Sequence, residues 1–401
     1  MTEVLREKAI DFVAGNSDAI CSPLISQRAT VQRDVAAARD TMIPVFRCCF
    51  VRVTVMVSIV SLLHGCYYMQ AVRGQLDVMR KRQPIDDVIE SEQTPAALSE
   101  RLRLVNDARQ FSIDELGLPD NDSYRSYADI ERDYVVWNVV AAPEFSLTPK
   151  HWCFPVAGCV NYRGYFSEQT ARRKAARFEE QGYDVIVGGV PAYSTLGKFS
   201  DPVLNTMLRW DNVELVAMLL HELAHQVLYI KGDSGFNESF ATAVEEAGIK
   251  RWLASRGLEH ELIAYRERSE LRQGLMRLID AARTDLNSDY SLPINDDRKR
   301  VLKERRLTRL ARDVAVEFAK HGRDASIWLA AGLNNARLAA TTLYAGHLSA
   351  FRELLHRCND DLTCFYAAAK RLSKLDINER DLQLDDLAAI HENRQEEPRN
   401  N

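Results

Sequence analysis

The sequence has no excess of basic charge. Against 57 Asp and Glu it sets 52 Lys and Arg, for a net charge of −5, so it lacks the broad cationic surface that a phosphate backbone requires, and no nucleic-acid partner is expected. It also lacks an apolar run long enough to span a bilayer as a helix, which takes about 20 residues. The nearest approach, 53–63, is only eleven residues long. No internal repeat is apparent, which excludes a stacked-repeat architecture. Neither close cysteine pair beyond residue 66, 153/159 or 358/364, has the tight spacing of a cysteine-rich structural zinc site. What remains is a chain of 401 residues, 46% hydrophobic and 27% charged, able to bury a large core. Its densest basic run, 298–312, carries Leu307, Leu310 and Ala311, with Val314 beyond, at helical spacing. It therefore reads as a long helix with one buried and one solvated face.

The most informative stretch is His221-Glu222-Leu223-Ala224-His225. Residues 211–229 read as one amphipathic helix, opened by Asp211 with Glu214 three residues on, and carrying Val216, Leu219, Leu220, Leu223 and Val227 at helical spacing. On such a helix positions i and i+4 share a face, so His221 and His225 reach one metal ion and Glu222 sits beside its open position. A catalytic zinc takes three protein ligands and keeps one place for water. Glu238 is the natural third, because residues 231–235 break the first helix and helical spacing resumes at Phe236. One Zn2+ held there would make hydroxide available near neutral pH and polarise a carbonyl, with Glu222 as the general base that passes the water proton to a leaving amine.

The run Asn237-Glu238-Ser239-Phe240-Ala241, with Glu245 seven residues after Glu238, resembles the second zinc helix of the gluzincin metallopeptidases, particularly the zinc aminopeptidases. One departure is that only residues 226–237 separate His225 from Glu238, which demands a tighter loop than in the well-known aminopeptidases. The stretch from about Cys66 to Leu387 is similar to a bacterial family of predicted aminopeptidases with a lipoprotein-type N-terminus. That similarity rests on Leu63-His64-Gly65-Cys66-Tyr67-Tyr68, on residues 155–166, on Pro191-Ala192-Tyr193-Ser194-Thr195-Leu196-Gly197 and on residues 221–241. It implies a zinc-dependent aminopeptidase acting on peptide substrates. The alternatives are a zinc endopeptidase, or a non-catalytic protein-binding lipoprotein with residual zinc.

Other site residues follow from spacing. Thr242 and Glu245 lie four and seven residues beyond Glu238 on one helical face, and either can orient a ligand imidazole; the resemblance favours Glu245. The donor for the tetrahedral oxygen is expected in Tyr344, which shares a polar stripe with 334–338, with Tyr193 and His347 as alternatives. Tyr193, Ser194 and Thr195 follow a glycine-bounded strand-like run, 183–189, and are expected near an edge strand on which a substrate backbone pairs.

The N-terminal message concerns export. Val53 to Leu63 is nearly all apolar, preceded by Arg47 and Arg52 and ended by Leu63-His64-Gly65-Cys66, the layout of a secretory signal with a lipobox. The resemblance implies cleavage before Cys66, lipid attachment to it, and a mature protein anchored to the bacterial membrane facing the periplasm. Tyr67, in place of Asp, favours the outer membrane. Residues 1–41 are an N-terminal extension or a mis-assigned start, with Met42 opening a signal peptide over 42–65. Cys153 with Cys159 and Cys358 with Cys364 are disulfide candidates in an oxidising compartment.

Helices are expected over 94–109, 168–182, 237–256, 260–283 and 298–321, and strands over 134–140, 152–160 and 183–188. The fold class is α+β: a mainly helical gluzincin-like metallopeptidase domain over 93–391 with a small sheet packed on the zinc helices, a membrane-proximal segment over 66–92 and a disordered tail over 392–401.

Overall fold

The computed structural model describes residues 67, 69–154, 158–192, 195, 200–341 and 347–396. The chain enters through a helical stretch, 69–80, and a short strand β1 (Gln83–Pro84), then α1 (Ile85–Glu90) and α2 (Ala96–Asp114). Val78, Ile85 and Val88 are buried in the same core as Leu219 and Phe240. The segment expected to be membrane-proximal, 66–92, thus contributes residues to this core. Sparse but regularly placed apolar residues are enough to bury a short helix, although they leave the local composition polar.

Among the described residues, seven further strands follow. β2 (Ser126–Ala128) lies between β1 and β8 (Val203–Leu204), antiparallel to the first and parallel to the second. β3 (Val136–Pro143) is the centre of a second, antiparallel sheet flanked by β6 (Arg163–Tyr165) and β7 (Tyr183–Val190), while β4 (Trp152–Phe154) and β5 (Gly158–Val160) form a hairpin. Successive β3 residues face opposite sides. Val139 meets Ala171 and Ala175 of α3 (Glu168–Glu179), and Val140 and Ala142 meet Ala336 on the other side.

The helical part begins with α4 (Asn212–Val227), α5 (Ser234–Ala254), α6 (Glu259–Ser291) and α7 (Asp296–Lys320). It continues through α8 (Ser326–Ala330), α9 (Asn335–Thr341), α10 (Leu348–Arg357), α11 (Leu362–Leu372) and α12 (Ile377–Glu396). The protein is mostly helical with small sheets, an α+β fold. The sheet built on β3 is held between α3 and α9, whereas the sheet that shares the core of α4 and α5 is the unanticipated one, through Tyr127, Ala128, Val203 and Leu204. Its strands are two or three residues long and carry no readable alternation. The longer strands reach the same core at one end, through Val136 of β3 and Val190 of β7.

The basic run falls on α7 as expected, with Leu310 and Val314 buried. Its cations are engaged by the protein's own carboxylates: Lys303 with Asp184 at 2.7 Å, Arg306 with Asp289 at 2.8 Å and Arg300 with Glu144 at 2.7 Å. α12 runs on to Glu396, so the tail expected from residue 392 is helical for its first five residues. Among the described residues, no helix is long and apolar enough to cross a membrane.

Candidate metal centre

α4 begins where its capping box predicts: the Asp211 side chain accepts from the Glu214 backbone N–H at 2.8 Å. Val216, Leu219, Leu220 and Leu223 are buried, which fixes the helix rotation and aims His221 and His225 toward α5. The two helices approach closely. A Cβ added at Gly248 of α5 would lie 2.7 Å from Cδ1 of Leu220, the residue before His221.

The tight connection demanded by the sequence is built from named hydrogen bonds. Gly232 takes φ +80°, a conformation that glycine adopts without strain. Asp233 caps α5, accepting from Phe236 N–H at 3.0 Å, and its other oxygen accepts from Arg380 of α12 at 2.6 Å. Asn237, wholly buried, closes the loop: its side chain accepts from Ile230 N–H at 2.8 Å and donates to Ile230 C=O at 2.7 Å. Glu238, the next residue, is thereby delivered to the imidazoles.

His221, His225 and Glu238 converge, their donor atoms all within 4.8 Å of one another. His225 Nε2 is 3.2 Å from His221 Nε2, Glu238 Oε2 is 3.4 Å from His221 Nε2, and Glu238 Oε1 is 3.8 Å from His225 Nε2. Bonds of about 2.0–2.2 Å in a tetrahedron separate donors by about 3.3–3.6 Å, so two nitrogens and one oxygen at these spacings fit a small divalent ion. Glu222 is buried beside His221 on α4.

The Nδ1 side of His221 is occupied by Glu245, whose Oε2 is 3.0 Å away. Burial alone would lower the His221 pKa, but Glu238 and Glu245 outweigh it and hold the imidazole well above its ordinary value. Burial likewise opposes ionisation of Glu245, yet His221, with help from Arg272 and Tyr265, keeps it below the usual carboxylate range. Glu238 is pulled down against its own burial by the two imidazoles. The cluster is therefore built to hold positive charge between anionic oxygens.

The remaining expected site residues are distributed unevenly. Glu245, not Thr242, holds a ligand imidazole, since Thr242 is tied to neither ring among the described residues. Thr195 is buried and turned to Asp201, to whose Oδ2 its N–H and hydroxyl lie at 2.6 and 3.0 Å. Tyr344, Tyr193, Ser194 and Cys66 lie outside the described residues. His347 donates its backbone N–H to Ser239 Oγ at 2.9 Å, and its ring lies 3.8 Å from where a Gly235 Cβ would stand. His347 thus meets α5 at Gly235 and Ser239, on either side of Glu238 in the chain, and its Nε2 lies 3.9 Å from Asp381 Oδ1. Cys358 and Cys364 are joined by a disulfide. Cys153 is disulfide-bonded and faces position 159 across the β4–β5 hairpin.

Two neighbours escaped the sequence. Tyr265 of α6 donates its hydroxyl to Glu245 Oε1 at 2.8 Å, and the Tyr229 ring lies edge-on to His225 with centroids 6.5 Å apart. Tyr229 follows His225 by four residues, but α4 ends at Val227 and Leu228 is extended, so the contact is not one of helical spacing. Nothing local pointed to Tyr265.

Fold and site together define an α+β protein that presents a buried His–His–Glu cluster on a helical hairpin. The chain belongs to the family described as "putative aminopeptidase", whose match covers residues 66–384. That description is of a peptidase, with peptides as its substrates. No curated protein and no solved structure matches the chain.

Proposed function

We propose that the protein is a zinc-dependent aminopeptidase of gluzincin type, hydrolysing N-terminal residues of peptides. The observation that carries this reading is the convergence of His221, His225 and Glu238, with Glu222 buried one residue along from the first ligand. A structural metal would have no use for Glu222, whereas a hydrolytic one needs a carboxylate beside it that is not a ligand. His221, His225 and Glu238 would hold the ion, which when bound supplies Lewis acidity and an activated water.

The protein's own groups do the rest. Glu222 takes a proton from the attacking water at its carboxylate and returns it to the departing amine. Burial of Glu222 and Glu238 limits stray water and strengthens the charge interactions they make. His347, which meets α5 on either side of Glu238 in the chain, and Tyr344 are the candidates to donate to the tetrahedral oxygen. β7 lies at an open edge of its sheet, where a substrate backbone can pair. The family description favours the exopeptidase over the endopeptidase. We further read Cys66 as a lipidation site that tethers the mature protein at the outer membrane, facing the periplasm, on the strength of the lipobox before it.

The test uses soluble protein beginning after Cys66, a panel of aminoacyl fluorogenic substrates, and matching N-blocked peptides. Cleavage of free-amine substrates alone, abolished by Glu222→Gln with zinc retained, is the expected result. Cleavage of blocked peptides would make it an endopeptidase, and a zinc-loaded protein that cleaves nothing would end the catalytic reading.

A further inference from the structure

The metal ligands do not stand unaided: behind His221 a second line of side chains reaches into α6, and its end has no role in the reaction described above. Glu245 is buried and uses its two oxygens differently, Oε2 at 3.0 Å from His221 Nδ1 and Oε1 accepting from the Tyr265 hydroxyl at 2.8 Å. A carboxylate held at one oxygen can turn about its terminal bond, whereas one held at both cannot without breaking a buried hydrogen bond.

Tyr265 is itself only 5% exposed. It heads a stripe at i, i+4 and i+8 on α6 whose other members act on the next residue of α5. Ser269 donates to Glu246 Oε1 at 3.3 Å, and Gln273 lies by Arg352, which binds Glu246 through two nitrogens at 2.6 and 2.8 Å. α6 thus grips α5 on the side facing away from the donor atoms.

We propose that Tyr265 is a positioning residue of the metal centre: its hydroxyl locks the Glu245 carboxylate so that Oε2 receives the His221 Nδ1 proton, leaving Nε2 as the only lone pair and aiming it at the ion. This rests on the zinc reading above. The stakes follow from the tautomer. With Nδ1–H donated to Glu245, Nε2 faces Glu238 and His225. Without that partner the ring is free to carry its proton on Nε2, which cannot then bind a metal. Tyr265 does not serve as the donor to a substrate oxygen, because its proton is committed to Glu245. Burial, reinforced by Glu245, raises its pKa well above the ordinary phenol value, so the proton is retained.

The experiment compares zinc dissociation constants of the full-length protein and its variants by competition with a chromophoric chelator, and records the absorption spectrum of the Co2+ form. Tyr265→Phe removes one hydroxyl and is expected to weaken zinc about tenfold, in the range found for partners of ligand imidazoles, and to shift the Co2+ bands. Tyr290→Phe is the control. Tyr290 also donates a buried hydroxyl, to Asn335 Oδ1 at 2.9 Å, but in the other hydrophobic cluster, and its loss is expected to lower stability without changing the zinc constant. Glu245→Gln with Tyr265→Phe is expected to lose no more affinity than Glu245→Gln alone, since the hydroxyl acts through that carboxylate. Zinc affinity of Tyr265→Phe within about twofold of the unaltered protein, or additive losses in the double variant, overturns the proposal while the metal site stands. Absence of zinc binding by the unaltered protein overturns the metal reading and this proposal with it.

Discussion

Asn237→Ala tests the claim that the short loop between α4 and α5 is what delivers Glu238. Asn237 is fully buried and satisfies both backbone groups of Ile230, at 2.8 and 2.7 Å. The substitution leaves one N–H and one C=O without partners, each costing about 1–3 kcal/mol where water is excluded. Ile230 is only part-buried, so water recovers some of this, and the net loss is about 2–4 kcal/mol. Measured on metal-free protein by thermal unfolding monitored by circular dichroism, this corresponds to a fall of roughly 3–6 °C in the midpoint for a folded body of this size. Added zinc should raise the midpoint of the variant less than that of the original protein, because stabilisation by a ligand follows its affinity and the loosened loop no longer presents Glu238. Asn237→Asp keeps an acceptor for Ile230 N–H but sets a carboxylate oxygen against Ile230 C=O, and is expected to be at least as harmful at neutral pH. A midpoint for Asn237→Ala within about 1 °C of the original, with the same response to zinc, would refute the reasoning.

Three further outcomes follow. Arg380→Ala removes the guanidinium partner of Asp233 in a site only 15% exposed and should destabilise by about 3 kcal/mol in chemical denaturation; Arg380→Lys should recover part of that. Replacing Cys358 and Cys364 together by Ser opens a loop with a sequence separation of 6, expected to cost about 2 kcal/mol by chain entropy, with the denaturant slope little altered. Burial and then Asp129 push the Tyr127 phenol up to about 12. A folded pKa raised above the unfolded value of roughly 10 means its stability contribution is complete below pH 10 and is lost as pH climbs toward 12. Alkaline unfolding curves should show a decline of roughly 1–2 kcal/mol from this group after allowing for screening, and Tyr127→Phe should remove it.

The parts legible in the sequence were those whose cause is local. α4 was marked by Asp211 and Glu214 at one end and by apolar spacing through Leu223. The turn before Glu238 was marked by Gly232 and by the return of helical spacing at Phe236. β3 and β7 showed as β-branched runs. β1 and β8 did not, because strands of two residues have no period to detect and their pairing joins residues far apart in the chain. Tyr265 was invisible for a related reason. It is one aromatic on a long charged helix, and its meeting with Glu245 depends on how α6 crosses α5, which no spacing rule fixes. The expectation of a disordered tail rested on composition alone, which cannot tell a solvated helix from a coil. α11 was missed although Asp361 shows as an N-cap, accepting from Cys364 N–H at 2.6 Å.

The bond from Arg380 to Asp233 has a temporal side. All three side chains of the cluster emerge within one short span of synthesis, but the guanidinium that braces their loop is made 147 residues after the carboxylate it holds. A chain cut between α5 and α12 possesses all three side chains and lacks the brace, so full rigidity at the cluster is reserved for the longer product.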